Sequence, residues 1–227
     1  GGDGTINEVG AALAFHDVSL GIVPVGSGNG LARELNLRRQ PRHAIAVALH
    51  GRDRRIDAGE LGGRLFFNVA GIGLDAHIAR LVNAGTRRGP LSYWTAALRA
   101  VVSYTPADYT IRSEEGTSQL RALVVVLANS RQYGNGAIIA PAARIDDGRL
   151  ELVLVEARPA VAGLWQSRRL FTGSVQQAPG VITRRVEQVA IVSDRPIRFH
   201  VDGEEGEGGS TLSGRVHPAA LRVKVPS

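Results

Sequence analysis

Gly1-Gly-Asp-Gly-Thr-Ile-Asn-Glu8 opens the chain, and Pro24-Val-Gly-Ser-Gly-Asn-Gly30 follows it. Each is a glycine-rich turn that leads into a helix-like stretch. Thr5 to Glu8 has capping-box spacing, with Val9 and Leu13 as apolar positions behind it. Leu20-Gly-Ile-Val-Pro24 reads as a short buried strand before the second turn. Residues 31–35 read as a helical turn, and Pro41 to His50 as a helix stopped by Gly51. Strand–loop–helix repetition predicts a parallel α/β unit. Glycines let a backbone approach phosphate closely, and amides at a helix start present donors to it. Two such turns about 20 residues apart fit neighbouring parallel strands whose carboxyl ends face one nucleotide. Asp3 adds a carboxylate that can bind magnesium or take a proton from an attacking hydroxyl. Its plain structural alternative is a helix cap. Ser27 and Asn29 can donate to phosphate or ribose, and Asn29 suits a cap equally well.

The pattern changes near residue 54. Residues 55–61 and 64–69 alternate around Gly62-Gly63, a β-hairpin signal. Residues 75–82 and 91–104 look helical, with a loop at 83–90 between them. Beyond Asp108 strands dominate, at 109–112, 120–128, 150–155, 189–192, 197–201 and 221–225, with one helix at about 160–171. The expected fold class is therefore α/β plus mostly antiparallel β. A partial Rossmann-like nucleotide domain would span 1–55, and a β-rich, sandwich-like domain 56–227.

Composition narrows the function. With 227 residues and 44% apolar content, the chain has ample core for one large domain or two small ones. There is no cysteine, which excludes disulfides, thiolate metal sites and a Cys nucleophile. Lys224 is the only lysine and lies in an apolar tail, so neither a P-loop nor a protein-kinase lysine is written here. The longest apolar run, Ala122 to Ala128, is too short to span a bilayer. A net charge of +6 favours an anionic partner, whether nucleotide or membrane. No basic run with interleaved aromatics points to nucleic acid. The histidines lack metal-helix spacing. A chain without methionine that opens in mid-motif reads as a piece lacking an N-terminal part.

Five motifs in order carry a resemblance. They are Gly1 to Glu8, Pro24 to Asn29, Phe67-Asn-Val-Ala-Gly-Ile-Gly-Leu-Asp75, Ala140-Pro-Ala-Ala-Arg-Ile-Asp-Asp-Gly148 and Val201-Asp-Gly-Glu204. Together they resemble the diacylglycerol kinase/sphingosine kinase lipid kinase family, most closely its bacterial soluble members. The resemblance runs the length of the chain. It implies a two-domain kinase that binds ATP in the first domain and lipid in the second, with the active site in the cleft between them. It also implies that the first βα units are missing, and that an isolated piece binds ATP poorly.

Carried over by position, the resemblance gives ATP contacts to Gly1, Gly2, Asp3, Gly4, Thr5, Ile6 and Asn7, with Gly26, Ser27 and Asn29. Asp3 matches a carboxylate of the metal-and-phosphate network, the base in sphingosine-type members. Glu204 matches a proton acceptor, with Asp202 beside it. Two acids one apart on an extended segment would point the same way, so one cleft could use both; a hairpin turn is the simpler reading. Asp147 matches a structural magnesium ligand, joined by the backbone carbonyls of Arg144 and Arg149. Asp146-Asp-Gly148 is equally a type I′ turn. Gly30 departs from the Asp found there in many bacterial members, which weakens the carry-over of the magnesium network and tilts the acceptor toward a sphingoid or unusual lipid. Arg87 and Arg88 with Tyr93 and Trp94 suit an interfacial loop, or a helix start with core aromatics. The implied cofactors are ATP and Mg2+. The implied partner is a lipid at a membrane surface, met from the cytoplasm by a peripheral enzyme. An NAD kinase-like enzyme and a non-catalytic lipid- or nucleotide-binding module are the alternatives.

Overall fold

The computed structural model describes residues 1–84, 104–134, 136–158, 169 and 172–226. The interfacial loop with Arg87, Arg88, Tyr93 and Trp94, and nearly all of the helices expected at 91–104 and about 160–171, lie outside the described residues.

Among the described residues, four α-helices, one 3₁₀ turn (Val175–Gln177) and a run of strands follow the chain. α1 (Asp3–Leu13) leaves the first glycine turn, and β1 (Ser19–Leu20) comes next. α2 (Gly30–Glu34) leaves the second turn, and α3 (Pro41–His50) starts on its proline and ends at Gly51. β2 (Arg52–Leu61) and β3 (Arg64–Phe66) form the expected hairpin, with positive φ of 58° and 79° at Gly62 and Gly63. Then come β4 (Val69–Gly73), α4 (Leu74–Ala84), β5 (Ala107–Ser113), β6 (Gly116–Ala128), β7 (Gln132–Gly134), β8 (Ala137–Ile138) and β9 (Leu150–Glu156). β10 (Val181–Val186), β11 (Gln188–Ser193), β12 (Arg198–Val201), β13 (Glu204–Glu207) and β14 (Thr211–Val225) complete the described part.

The main sheet runs β13-β12-β4-β6-β5-β11-β14-β2-β3, with β9 and β10 continuing from β6. Every pairing in it is antiparallel except β1 on β14. Two long strands serve both layers of the resulting sandwich. β6 pairs with β5 through Ala122 and lies between β4 and β9 from Val124 onward. β14 shifts register between His217 and Leu221, so its first part meets β11 and its last part β1. One core, with Phe66, Ile72, Leu127, Ile191 and Phe199, fills the space between layers. A second joins Ile6, Ile22, Leu31 and Leu35 to Ile56, Phe67, Leu221 and Val223. The helices of the first fifty residues thus bury their apolar faces on β2 and β14.

The α/β start and the mostly antiparallel remainder match the fold class read from the sequence. Two strands differ. The one expected at 20–24 is regular only at Ser19–Leu20: Pro24 has no N–H to pair, and Val23 and Val25 bond to Gly1. The one expected at 64–69 breaks at Phe67-Asn68, where the amides turn to a carboxylate from far along the chain. No described helix is long and apolar enough to cross a membrane.

Candidate active site

The two glycine turns lie side by side. Gly1 N donates to Val23 O at 2.9 Å, and Val25 N donates to Gly1 O at 3.2 Å. This brings backbone against backbone: a Cβ on Gly26 would stand 2.6 Å from Gly2 Cα. Asp3 ties the turns together. Its Oδ1 accepts from Gly30 N at 2.7 Å, at the start of α2, and its Oδ2 faces Gly28. Asn29, fully buried with φ of 52°, closes its own turn by accepting from Gly26 N and donating to Gly26 O. Its side chain is spent there, as a cap-like brace. Ser27 and Thr5 are exposed at the rim. Ile6 points into the core, so only its backbone is available to a ligand.

The distant acidic pair comes to the same place. β12 and β13 meet in a tight turn, with φ of 49° at Asp202 and 91° at Gly203. The Asp202 carboxylate accepts four hydrogen bonds, from Asn7 Nδ2 (2.9 Å), Phe67 N (2.8 Å), Asn68 N (2.9 Å) and Val69 N (3.0 Å). Asn7 and Asp202 are 195 positions apart. Burial pushes the Asp202 carboxyl above its ordinary value, and the four donors offset only part of that. Glu204 remains exposed, with Oε1 3.0 Å from where a Cβ on Gly4 would be. Asp202 and Glu204 therefore do not point alike on an extended segment. The left-handed turn sends the first inward, to brace the loop at 67–69, and leaves the second over the first turn of α1.

That loop has further braces. Asn129 Nδ2 donates to Phe67 O and Asp57 O, and Ser130 Oγ donates to Asn68 Oδ1. On the other side of the turn, buried His200 places Nε2 2.5 Å from Asp75 Oδ2, while its Nδ1 accepts from Gly203 N at 3.2 Å. Burial alone would lower the His200 pKa; the Asp75 charge and hydrogen bond, with Asp202 behind them, outweigh it and leave it raised.

Known proteins share this arrangement of chain. Residues 1–61 match the family model described as the diacylglycerol kinase catalytic domain. Residues 68–225 match the YegS C-terminal NAD kinase beta sandwich-like domain. A Chromohalobacter salexigens protein named "Probable lipid kinase YegS-like" is 32% identical over 210 residues, covering 90% of this chain and 68% of its own length. A Klebsiella pneumoniae protein of the same name is 30% identical over 231 residues, covering 100% of this chain and 76% of its own. The chain belongs to the YegS-like lipid kinase family. The expectation of an ATP-dependent lipid kinase holds at that level, ahead of the NAD kinase-like alternative. A solved diacylglycerol kinase structure from Bacillus anthracis has the same fold, with a TM-score of 0.75 at 16% identity over 99% of this chain and 74% of that one.

In this YegS-like chain the third acidic motif lies elsewhere. Asp146 pairs with Arg54 at 2.7 Å. Asp147 accepts from Arg149 N at 3.2 Å through Oδ1, and its Oδ2 is held by Arg185. Arg144 lines a polar pocket of about 250 Å³ with Glu34, Arg54, Arg131 and Asp146. Among the described residues no three acidic or imidazole side chains gather as a metal cage. Gly30 sits tightly between Asp3 and Asn68: a Cβ there would stand 3.1 Å from Asn68 Nδ2, so the amide would have to give way.

Sequence reading passed over His200, Asn129 and Ser130. Asp75 lay inside a quoted motif without a role. The only local signal for His200 was its place directly before Val201-Asp-Gly-Glu204.

Proposed function

We propose that the chain transfers the γ-phosphate of ATP to the hydroxyl of a diacylglycerol- or sphingoid-type lipid, with Glu204 as the base. The observation that carries this is the contrast among the three acids. Asp3 and Asp202 spend oxygens on backbone amides, whereas Glu204 stands exposed over the start of α1, with no ion-pair partner among the described residues. A base must reach the proton it removes, and its lone pairs must be free. The amides of residues 1–7 and 26–30 would cradle the triphosphate, with Ser27 and Thr5 at its edge. Asp3 and Asp202 would keep this cradle and the Glu204 turn in register. Residues up to about 55 would form the nucleotide side and those beyond it the lipid side.

Magnesium fits Asp3 better than Asp147. Asp3 Oδ2 takes no bond from a described residue and faces the glycine turn, while both oxygens of Asp147 are engaged. Bound at Asp3, the ion would neutralise phosphate charge. A net charge of +6 supports peripheral contact with an anionic membrane from the cytoplasmic side.

The test uses the complete protein, labelled ATP and a mixed lipid extract, with the phosphorylated product identified. Glu204→Gln should lower turnover by about 10²- to 10⁴-fold and leave the melting temperature unchanged. Near-normal turnover would remove Glu204 from the role. Phosphorylation of NAD in preference to any lipid would reject the substrate class. Vesicle binding without turnover would favour the non-catalytic module.

A further inference from the structure

His200 takes no part in the chemistry proposed above, yet it is only 4% exposed and both its ring nitrogens are engaged. The partners determine where the ring proton lies. Asp75, at the start of α4, offers an acceptor to Nε2; the Gly203 amide can only donate, and it meets Nδ1. A neutral ring with its proton on Nε2 satisfies both partners, and one with its proton on Nδ1 satisfies neither. The fold also makes room for the pair. Gly71 on β4 lies against it, and a Cβ there would stand 1.8 Å from Asp75 Oδ2 and 2.6 Å from His200 Nε2.

We propose that His200 and Asp75 are a positioning dyad for Glu204. With the ring neutral, Asp75 orients it, Nδ1 holds the Gly203 amide, and that amide fixes the turn from which Glu204 reaches over Gly4. Asp202 anchors the same turn on its other side, to Asn7 and the loop at 67–69. Anchored on one side only, the turn can pivot, and a misplacement of about 1 Å at a reacting group costs on the order of a hundredfold in rate. This inference rests on Glu204 being the base.

Two amide substitutions separate the two ring nitrogens. Asn at 200 places a polar atom near the position of Nδ1, and Gln places one near that of Nε2. His200→Asn therefore keeps an acceptor for Gly203 and strands Asp75. His200→Gln keeps a donor for Asp75 and removes the Nδ1 acceptor of the Gly203 amide. The expected ranks are crossed. The Gln variant melts higher, but its kcat is on the order of tenfold below that of the Asn variant, with KM for ATP the same in both. Turnover that simply follows stability overturns the proposal.

A second measurement does not use activity. In the unsubstituted protein at alkaline pH, where the ring is neutral, imidazole 15N spectra should place the proton on Nε2. Gly203 amide exchange should be slow there, and faster in the Gln variant than in the Asn variant. A proton on Nδ1, or equal exchange in both variants, refutes the dyad. An unsubstituted protein that phosphorylates no lipid sinks the kinase reading and the positioning role with it; an active one with parallel ranks sinks the dyad alone.

Discussion

Two acid-and-glycine turns, Asp202-Gly203-Glu204 and Asp146-Asp147-Gly148, look alike in sequence and differ in what surrounds them. Each is pinned by an aspartate that accepts backbone amides. Asp202 serves its own turn, and Asp57 accepts from Gly148 N and Ala219 N at 2.7 Å each. Above that shared device they part. The carboxylates at 146 and 147 each meet a guanidinium. Glu204 meets none among the described residues and lies over the amino end of α1. An arginine pair holds a carboxylate charged and occupied, whereas a helix start holds it near a place where phosphate can sit. The same residue types thus make a surface clamp in one turn and a candidate base in the other.

The largest effect should come from filling the space behind the 202–204 turn. Gly71→Ala would drive a methyl group into the Asp75–His200 pair, where the nearest atom stands 1.8 Å away. The pair must separate, leaving buried polar groups unmet at about 1–3 kcal/mol each. Chemical unfolding should show that loss, and turnover should fall with it. A variant of native stability would mean that the turn does not depend on the pair.

Asp202→Asn comes next. Its amide nitrogen would confront either Asn7 and Phe67 or Asn68 and Val69, all donors. A loss of about 2 kcal/mol is expected, from two donors left without acceptors. Amide exchange at residues 67–69 should quicken more than elsewhere. Equal protection in both proteins would break the parallel drawn between Asp202 and Asp57.

The local parts of this site were legible in the sequence; the long-range parts were not. The two glycine turns, α1, α3 and the Gly62-Gly63 hairpin follow from residues adjacent in the chain. Their turn, proline and periodicity signals act within a few positions, although the capping box read from Thr5 to Glu8 falls inside α1, which starts at Asp3 behind Gly2 with no side-chain cap. β13 could not be read, because Glu204-Glu-Gly-Glu207 has no strand preference of its own. It exists as a charged edge paired to β12. β4, Val69-Ala-Gly-Ile-Gly73, carries glycines that a strand reading penalises, one of which is needed by a pair formed across 125 positions. The break at Phe67-Asn68 is imposed by Asp202 from 135 positions away. The motifs marked Glu204, Asp202 and Asp3 as acids of one site; what they did not show is that Asp3 and Asp202 accept backbone amides while Glu204 stays exposed.

A pH titration sharpens the comparison from the other side. His200 faces Asp75 from α4, Asp202 within its own turn and Glu205 across β13; Gly71 on β4 contributes no charge. Its folded pKa is raised above an unfolded value of about 6.5, so its stabilising contribution is complete below about 6.5 and lost as pH climbs through the raised value. The stability difference between the unsubstituted protein and His200→Gln should therefore shrink as pH rises across that window. A difference that grows would reverse the assignment of Asp75 as the dominant neighbour.

The smallest effect belongs to the other turn. Asp147→Asn removes the charge facing Arg185, whose side chain is 49% exposed, while Oδ1 can still accept from Arg149 N. An ion pair this open to solvent contributes about 0–1 kcal/mol, and less as salt rises. Arg185 also retains Glu151 at 3.7 Å. Stability should thus change by less than about 1 kcal/mol, and turnover with saturating magnesium should stay near that of the unsubstituted protein. A large fall in turnover, restored by raising magnesium, would instead mean that Arg185 gives way to a cation at Asp147. The two turns would then differ in which cation they hold, and the clamp would itself be an ion site.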